Sequence, residues 1–497
     1  MTNGKKNIQK KLDEWDYVLL AFCILFYLLF PILDGPVWCV DSNGYAIMHV
    51  SREPLYPTFL ALCRVIARLF MTDYLMVAVF LQSILAGFST WYLGYIVRRI
   101  KNQSRILQLS AILFQFAVTL LCRFAAGRGS AYTNSILTEG LGLSLFVLFS
   151  VQLFLFVQTE KKRYLLWTLF YSLLLICLRK QMMITLFIMA VVFIRYILIH
   201  HRSIRRFLVL LVMLFVVFMT SKVVDRTYQY MVRGVWMEHS GNSMGILCTL
   251  LYSSDVERDQ ALFEDETLKS LYLEIMQKAD EQQILYRYAE SGWLNVFIHY
   301  ADSYDAIGYG IINPVLEEYI SLNFDYSEME AAMKYDEICG KMSRTLLLRH
   351  PMPIPFLKIY LYNTWTGLVN SIAREKRILS FYAAAAYFTT GMMAWYLMMQ
   401  KKKLNGMIQQ VTLQSGQSEC AVDHYRELIG QIDASLIFIF IVMAGIVMNA
   451  LVVGIIIFAQ SRYMIYGMGL FYTAECMMIY DILAVVKGAG KNISQVF

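Results

Sequence analysis

The chain is built mainly of long apolar runs that are separated by short polar stretches. A helix needs about 20 apolar residues to cross a bilayer, and spanning backbone has to satisfy its own hydrogen bonds. The pattern therefore predicts an all-α polytopic membrane protein with about ten transmembrane helices. The predicted spans are 17–33, 73–97, 105–123, 134–157, 164–178, 182–199, 207–224, 378–399, 433–459 and 463–485.

Composition supports the same fold class. Of the 497 residues, 58% are hydrophobic and 16% are charged, against roughly a quarter charged in soluble domains. This apolar surplus excludes an ordinary water-soluble core. Of the eight prolines, only Pro31 falls inside a predicted span, near its outer end, as expected because proline forfeits a helical backbone bond.

Clusters of lysine and arginine orient the predicted spans. Short loops rich in these residues stay on the cytoplasmic side of a membrane. Ten spans place all the clusters on that side, with both termini cytoplasmic and the N-terminal segment acting as an uncleaved signal anchor of a cell-membrane protein. The clusters are Lys5–Lys11, Arg98–Arg105, Lys161–Arg163, Arg202–Arg206 and Lys401–Lys403.

The spans divide the chain into three parts. The N-terminal membrane domain, 1–224, has seven spans, and the C-terminal membrane domain, 378–497, has three. Between them, 225–377 holds 22 of the 37 acidic residues and 14 basic ones, so we expect a mainly helical outer domain in water. Residues 400–432 are predicted to be a polar cytoplasmic linker.

Two further segments are predicted at the outer surface. The first outer loop, 34–72, contains apolar residues at helical spacing, which indicates an amphipathic interfacial helix. These residues are Leu55, Phe59, Leu62, Ile66 and Leu69. The segment 356–372 is apolar enough for a span, but that would move Lys401–Lys403 outside, so we favour a second interfacial helix.

Several polar residues on the predicted outer side are candidates for chemistry. Asp41 could act as a general base, although Asp41-Ser-Asn-Gly is also a turn or helix-cap pattern, and Asp34 is a rival acid. Glu139, about one turn inside an apolar span, indicates either a polar cavity or a structural ion pair. Arg179 and Lys180 occupy a short outer turn, which points to a phosphate ligand or to lipid headgroups.

Other site types are not indicated. No histidine or cysteine spacing predicts a metal site, no glycine-rich phosphate loop predicts a nucleotide site, and no basic surface predicts nucleic acid as a partner. Cys39, Cys248 and Cys339 fall on the outer side, where one disulfide among them is compatible with the spacing.

Four short motifs resemble the C-type glycosyltransferase superfamily (GT-C). Asp41 lies in the first outer loop, and Thr138-Glu139, Leu178-Arg179 and Ser461-Arg462-Tyr463 lie near outer helix ends. The first loop also contains Tyr45 and a Pro-x-Tyr-Pro-like start to its helix, at Pro54, Tyr56 and Pro57. One departure is that Lys180 and Gln181 follow Arg179, where members of the superfamily often have proline.

The resemblance implies an inverting sugar transfer from a polyprenyl-phosphate carrier to a glycan, lipid or protein acceptor at the outer membrane face. Asp41 and Glu139 are then the catalytic candidates. The substrate-binding candidates are Tyr45, Arg52, Tyr56, Arg128, Arg179, Lys180, Arg462 and Tyr463. Some members use a divalent metal and others do not, and the sequence leaves this open.

Two alternatives remain. O-antigen-type polymerases and ligases also combine many spans with a large outer loop that carries arginines. A lipid-linked glycan flippase or transporter would make no bond at all. Against a transporter, the sequence shows no inverted repeat and no pair of helices broken by glycine or proline.

Overall fold

We analysed a computed structural model of the chain, which describes residues 12–125, 131–200, 204–348, 353–374, 376–413 and 419–493. These residues form helices and short helical turns, with a single isolated β-bridge between Val37 and Ser135. The helices are α1 (Glu14–Asp34), α2 (Ser42–Ala46), α3 (Leu55–Phe70), α4 (Tyr74–Ile100), α5 (Arg105–Ala125), α6 (Glu139–Thr159), α7 (Lys162–Leu178), α8 (Ile184–His200), α9 (Ile204–Arg233), α10 (Asn242–Tyr252), α11 (Val256–Asp259), α12 (Glu266–Glu281), α13 (Trp293–Asp305), α14 (Asn313–Asn323), α15 (Glu328–Leu347), α16 (Ile354–Asn370), α17 (Arg377–Leu413), α18 (Glu419–Ile456), α19 (Ser461–Met464) and α20 (Met468–Ile493).

Among the described residues, seven helical segments are long and apolar enough to cross a membrane. They are Glu14–Asp34, Tyr74–Ile100, Glu139–Thr159, Lys180–Ile199, Phe207–Arg233, Val422–Ile456 and Ser461–Lys487. The chain is therefore a helical membrane protein. The other predicted spans, 105–123, 164–178 and 378–399, coincide with α5, α7 and α17, and the total of ten stays a prediction.

Helix α6 lies at the centre of the membrane part. It is apolar around its whole circumference and is buried almost completely, packed among α4, α7 and α18. A helix that is apolar on all sides is stable only where neighbours or lipid cover every face. The other membrane helices therefore surround α6 and shield it from lipid.

The predicted start of this span at 134 is wrong. Residues Tyr132–Asn134 form a 3₁₀ turn, and the helix begins at Glu139. The preceding residues instead bond to the loop after α1: Asn134 accepts from the Val37 amide at 2.7 Å, and the Ile136 amide donates to Val37 at 3.0 Å. Glu139 therefore lies at the end of α6 and not one turn inside it.

A buried ion pair ties three membrane helices together at one end of the bundle. Lys101, just after α4, is fully buried with Nζ 2.7 Å from both carboxylate oxygens of Asp481 in α20. The same ammonium donates to Ser435 Oγ and to the Gln431 carbonyl of α18, each at 2.7 Å. These acceptors replace the water that the ammonium group has lost.

A second cluster lies at the same end. Lys401 Nζ is 2.5 Å from Asp433, which is next to the residues that hold Lys101. Two of the predicted cytoplasmic basic clusters, Arg98–Arg105 and Lys401–Lys403, thus share one end of the bundle.

The predicted polar linker at 400–432 is wrong. Helix α17 continues to Leu413, and α18 begins at Glu419. The burial of Leu404 and Leu428 stabilises these extensions of the two helices.

Helix α3 occupies the place of the predicted amphipathic helix. Its protein-facing side consists of Tyr56, Leu60, Cys63 and Ala67. Part of the predicted apolar stripe, including Leu62, is exposed instead. An apolar face that points away from the protein matches a helix that lies in the membrane interface.

Helices α10–α16 form the outer domain around a core of its own, which includes the fully buried Tyr252 and Tyr300. Helix α9 continues to Arg233, beyond the predicted boundary at 224. Helix α16, which covers the ambiguous segment 356–372, docks on the end of α18: Asn363 Nδ2 donates to the Gly454 and Ile457 carbonyls at 3.0 and 2.9 Å. It is not among the seven segments, and its interfacial placement stays a prediction.

Of the three cysteines predicted on the outer side, Cys248 and Cys339 are free thiols. Cys39 is buried in the first loop, and Cys248 and Cys339 are buried in the outer-domain core. The outer domain is therefore held by packing in this structure, without a disulfide among these three cysteines.

The ten-span arrangement predicts which positions a membrane-impermeant maleimide reaches from outside intact cells. Cysteines that replace Val40 (85% exposed) and Leu322 (76% exposed) should react, because both lie on the outer side. A cysteine that replaces the exposed Lys402 should react only after the cells are permeabilised. The parent protein gives the background labelling, and reaction of position 402 in intact cells would contradict the arrangement.

Candidate functional site

A cavity of 1120 Å³ opens between the membrane helices and the outer domain. Its lining includes Val452, near the C-terminal end of α18, and Arg462, which follows that helix. Lys101 contacts α18 several helical turns earlier, at Gln431 and Ser435. The cavity and the buried Lys101–Asp481 pair thus lie at opposite ends of the bundle. On the predicted orientation, the cavity is at the outer end.

Most of the candidate residues meet in this cavity, although they come from distant parts of the chain. The candidates that line it are Asp41, Tyr45, Arg52, Arg179, Lys180, Arg462 and Tyr463. Tyr56 and Glu139 are buried behind the lining. Arg128 lies outside the described residues.

Asp41 is held between two arginines. Arg52 Nη2 is 3.0 Å from Asp41 Oδ1, and Arg462 Nη1 is 3.4 Å from Asp41 Oδ2. Asp41 immediately precedes α2, but its side chain makes no helix-capping hydrogen bond. The cap interpretation therefore does not describe its contacts, and Asp34, at the end of α1, is not part of the cavity lining.

The two arginines also control the charge state of Asp41. Burial by itself would raise the pKa of this carboxyl, but the guanidinium groups of Arg52 and Arg462 outweigh that effect and hold the pKa below its ordinary value. Asp41 is therefore ionised at neutral pH and can accept a proton there.

Arg179 is positioned by Glu139 and by an aromatic ring. Its Nη1 is 2.6 Å from Glu139 Oε1, and its Cζ lies 4.3 Å from the centroid of the Tyr463 ring. Thr138 donates to the other Glu139 oxygen at 3.2 Å. Since Glu139 is buried with both oxygens engaged, the geometry favours the structural ion pair, in which Glu139 orients Arg179.

Tyr463 brings two cations close together. Arg462 Cζ lies 4.6 Å from the same ring centroid, and Arg462 also donates to the Tyr463 hydroxyl. Cation–π contact stabilises each guanidinium group, but two neighbouring cations still repel each other. The Nε atoms of Arg462 and Arg52 are buried and, among the described residues, have no hydrogen-bond partner. An anion with several oxygens would satisfy these groups.

Two tyrosines support the first loop. Tyr56 is fully buried, and its hydroxyl donates to Gln82 Oε1 at 2.8 Å. Its ring lies 5.0 Å from that of Tyr45, which in turn carries the Arg52 guanidinium at 4.7 Å. Tyr56 therefore does not reach the cavity as a substrate-binding residue would, and it supports Tyr45 from behind.

Lys180 links the turn to other segments. Its backbone amide donates to Glu53 Oε1 at 2.9 Å, and its Nζ is 3.7 Å from Glu238. The next residue, Gln181, donates to Asn449 Oδ1 at 2.8 Å, in the place where the superfamily often has proline. These contacts fix the turn that carries Arg179.

The analysis of the sequence missed several lining residues. Asn449, which bonds to Gln181 but is not part of the lining, had a recognisable signal as a polar residue inside an apolar run. The sequence around Asp302, Asp305 and Tyr309 contains no such signal. They belong to the outer domain, whose acidic residues indicate only that it carries a net negative charge. Their position depends on how the outer domain docks on the bundle.

The carboxylates do not form a metal-ligand set. Among the described residues, no group of three or more His, Cys, Asp or Glu side chains could hold a metal ion. Asp41 is already bonded to two arginines. Because these residues do not fit a built metal site, we derive no step through a metal.

The chain matches no protein-family model, no curated protein and no solved structure. The function therefore has to be argued from the cavity itself.

The arginines of the cavity predict affinity for a lipid phosphate. Purified protein in zwitterionic nanodiscs should bind farnesyl phosphate, and Arg462→Ala should weaken binding on the order of tenfold or more, because a charge-assisted bond is lost. Thermophoresis can measure the change. Arg287→Ala, which alters an exposed arginine of the outer domain, is the matched control. Equal affinities of the two variants would contradict this assignment.

Proposed function

We propose that this protein is a membrane glycosyltransferase that transfers a sugar from a polyprenyl-phosphate carrier to an acceptor at the outer face of the cell membrane. One observation carries the proposal: residues from four distant segments that resemble GT-C motifs contact one another around a single cavity. The cavity combines the guanidinium groups of four arginines with the ionised carboxylate of Asp41 at the ends of apolar helices.

The cavity offers a place for both parts of the donor. Ile184 and Phe187 of α8 and Val452 and Ile456 of α18 form an apolar part of its lining, and Phe187 is also exposed on the surface of the bundle. A prenyl chain would lie against these side chains. Its phosphate would then reach the arginines that follow α7 and α18.

The chemical step in this proposal is a single displacement. Asp41 accepts the proton of the acceptor hydroxyl while the hydroxyl oxygen forms a bond to the sugar C1 atom. The bond between C1 and the phosphate oxygen breaks, and its electron pair leaves with the polyprenyl phosphate. Arg179 and Arg462 stabilise the charge that develops on this phosphate, and Glu139 keeps Arg179 in position.

The sidedness of the reaction follows from the predicted orientation. With both termini and the basic clusters in the cytoplasm, the cavity faces the outer side, where lipid-linked donors and surface glycans meet. Energy for transfer is then supplied by the carrier bond, so no cytosolic nucleotide is needed at the site.

The alternatives predict different outcomes in a transfer assay. A polymerase or ligase of the O-antigen type would use diphosphate-linked oligosaccharides and would ignore monophosphate-linked sugars. A flippase or transporter would form no product from any donor. The assay below separates the proposed transferase from both alternatives.

Substitution of Asp41 tests the proposal. Membranes with the parent protein should transfer radiolabelled sugar from at least one polyprenyl-phosphate sugar, and Asp41→Asn should lower the rate by roughly 10²-fold or more, since asparagine cannot accept the proton. Asp34→Asn is the matched control, because it changes another acid of the loop that lies outside the cavity lining. Transfer by Asp41→Asn at the parent's rate would refute the mechanism, and absence of product from all polyprenyl-phosphate sugars would refute the function.

A further inference from the structure

The charge of the cavity lining differs from one segment to another. Its basic residues lie, together with the carboxylates Asp41 and Glu53, in the first loop, in the turn after α7 and beside α16 and α18; they are Arg52, Arg179, Lys180, Arg374 and Arg462. A second wall belongs to the outer domain and includes α13 and the π-helical turn Ala306–Ile312. This second wall, which we term the α13 wall, contains no lysine or arginine.

Three exposed polar residues of the α13 wall line the cavity, in addition to the buried Tyr304. Asp302, Asp305 and Tyr309 are spaced so that they share one helical face. All three are exposed, Tyr309 by 62%, although the residues between them are largely buried. The helix changes to π geometry directly after Asp305, a deviation that is frequent at functional sites.

The α13 wall is held rigidly behind these side chains. Tyr304 donates to the Ile456 carbonyl of α18 at 3.0 Å, and Tyr300 shares a 2.7 Å hydrogen bond with Thr249 of α10. These bonds fix the position of α13 against the end of α18 and against α10.

The carboxylates of Asp305 and Asp41, which both line the cavity, differ in their environment. Burial raises the pKa of Asp305, the nearby charge of Asp41 raises it further, and Arg462 offsets only part of this rise. The same arginine lowers the pKa of Asp41. Asp305 thus faces the cavity without the close arginine contacts that neutralise Asp41.

This arrangement suits an uncharged carbohydrate. Carboxylates accept hydrogen bonds from sugar hydroxyls, and an aromatic ring such as Tyr309 offers an apolar surface beside a polar group. An acceptor with its own negative charge would instead be placed next to like charges, which is strongly unfavourable. The phosphate of the donor would be bound by the basic residues of the cavity.

We propose that the α13 wall is the acceptor subsite and that Asp302, Asp305 and Tyr309 select an uncharged sugar over an anionic one. This inference rests on the proposed function, because it assigns the second substrate of the same transfer. Asp302 and Asp305 are specificity residues here, and Asp41 remains the proton acceptor.

The test compares neutral and anionic sugars of the same shape. Purified protein saturated with farnesyl phosphate is titrated with methyl hexopyranosides and with the matching methyl hexuronosides, followed by saturation-transfer NMR. The parent should bind the neutral sugar on the order of tenfold more tightly or better. The double variant Asp302→Asn/Asp305→Asn should reduce this preference to about threefold or less, and Tyr309→Ala should weaken both sugars.

The matched control is Asp325→Asn, an exposed acid of the same domain outside the cavity, which should keep the parent's preference. No preference in the parent, or an unchanged preference in the double variant, would overturn the inference. The decisive quantity is the change caused by the double substitution, which can be measured even if farnesyl phosphate fails to bind.

Failure of the inference and failure of the proposed function give different results. If the double variant loses the preference but the parent never transfers sugar, the α13 wall stands as a carbohydrate site and the transferase proposal fails. If transfer occurs, the double variant should raise the KM for the neutral acceptor and leave the KM for the donor unchanged. Transfer with an unaltered acceptor KM would overturn the role of the wall alone.

Discussion

Every charge that the helix bundle buries needs a partner of opposite charge, because apolar surroundings cannot replace the water that an ion loses. Two of the ion pairs that satisfy this requirement lie at opposite ends of the bundle. Lys101 and Asp481 join α4 and α20 at one end, and Glu139 and Arg179 join α6 to the turn after α7 at the other. The ends of several helices are thereby fixed relative to one another.

At the end of the bundle that contains Arg179, the cavity is lined by arginines that are only partly paired with carboxylates. Glu139 accounts for Arg179, but Arg462 and Arg52 share Asp41 and keep buried Nε atoms without partners in the described part of the chain. This surplus of positive charge is what a phosphate would neutralise. Asp302 and Asp305 of α13 also line the cavity, so it contains acidic as well as basic side chains.

Much of this organisation could be predicted from the sequence. Long apolar runs identify membrane helices because their composition alone determines where they are stable, and short motifs drew attention to Asp41, Arg179 and Arg462. The start of α6 could not be predicted, because the residues before Glu139 form hydrogen bonds with the loop after α1 in place of helical ones. The acids of α13 also escaped prediction, since their place depends on domain docking and not on local pattern.

The anomeric configuration of the product tests the central claim most directly. Purified protein would be incubated with a polyprenyl-phosphate sugar of known configuration and a neutral sugar acceptor, and the new glycosidic linkage would be assigned by NMR. A single displacement at C1 inverts the configuration, so a β-linked donor should give an α-linked product. A β-linked product, or no product with any such donor, would contradict the account.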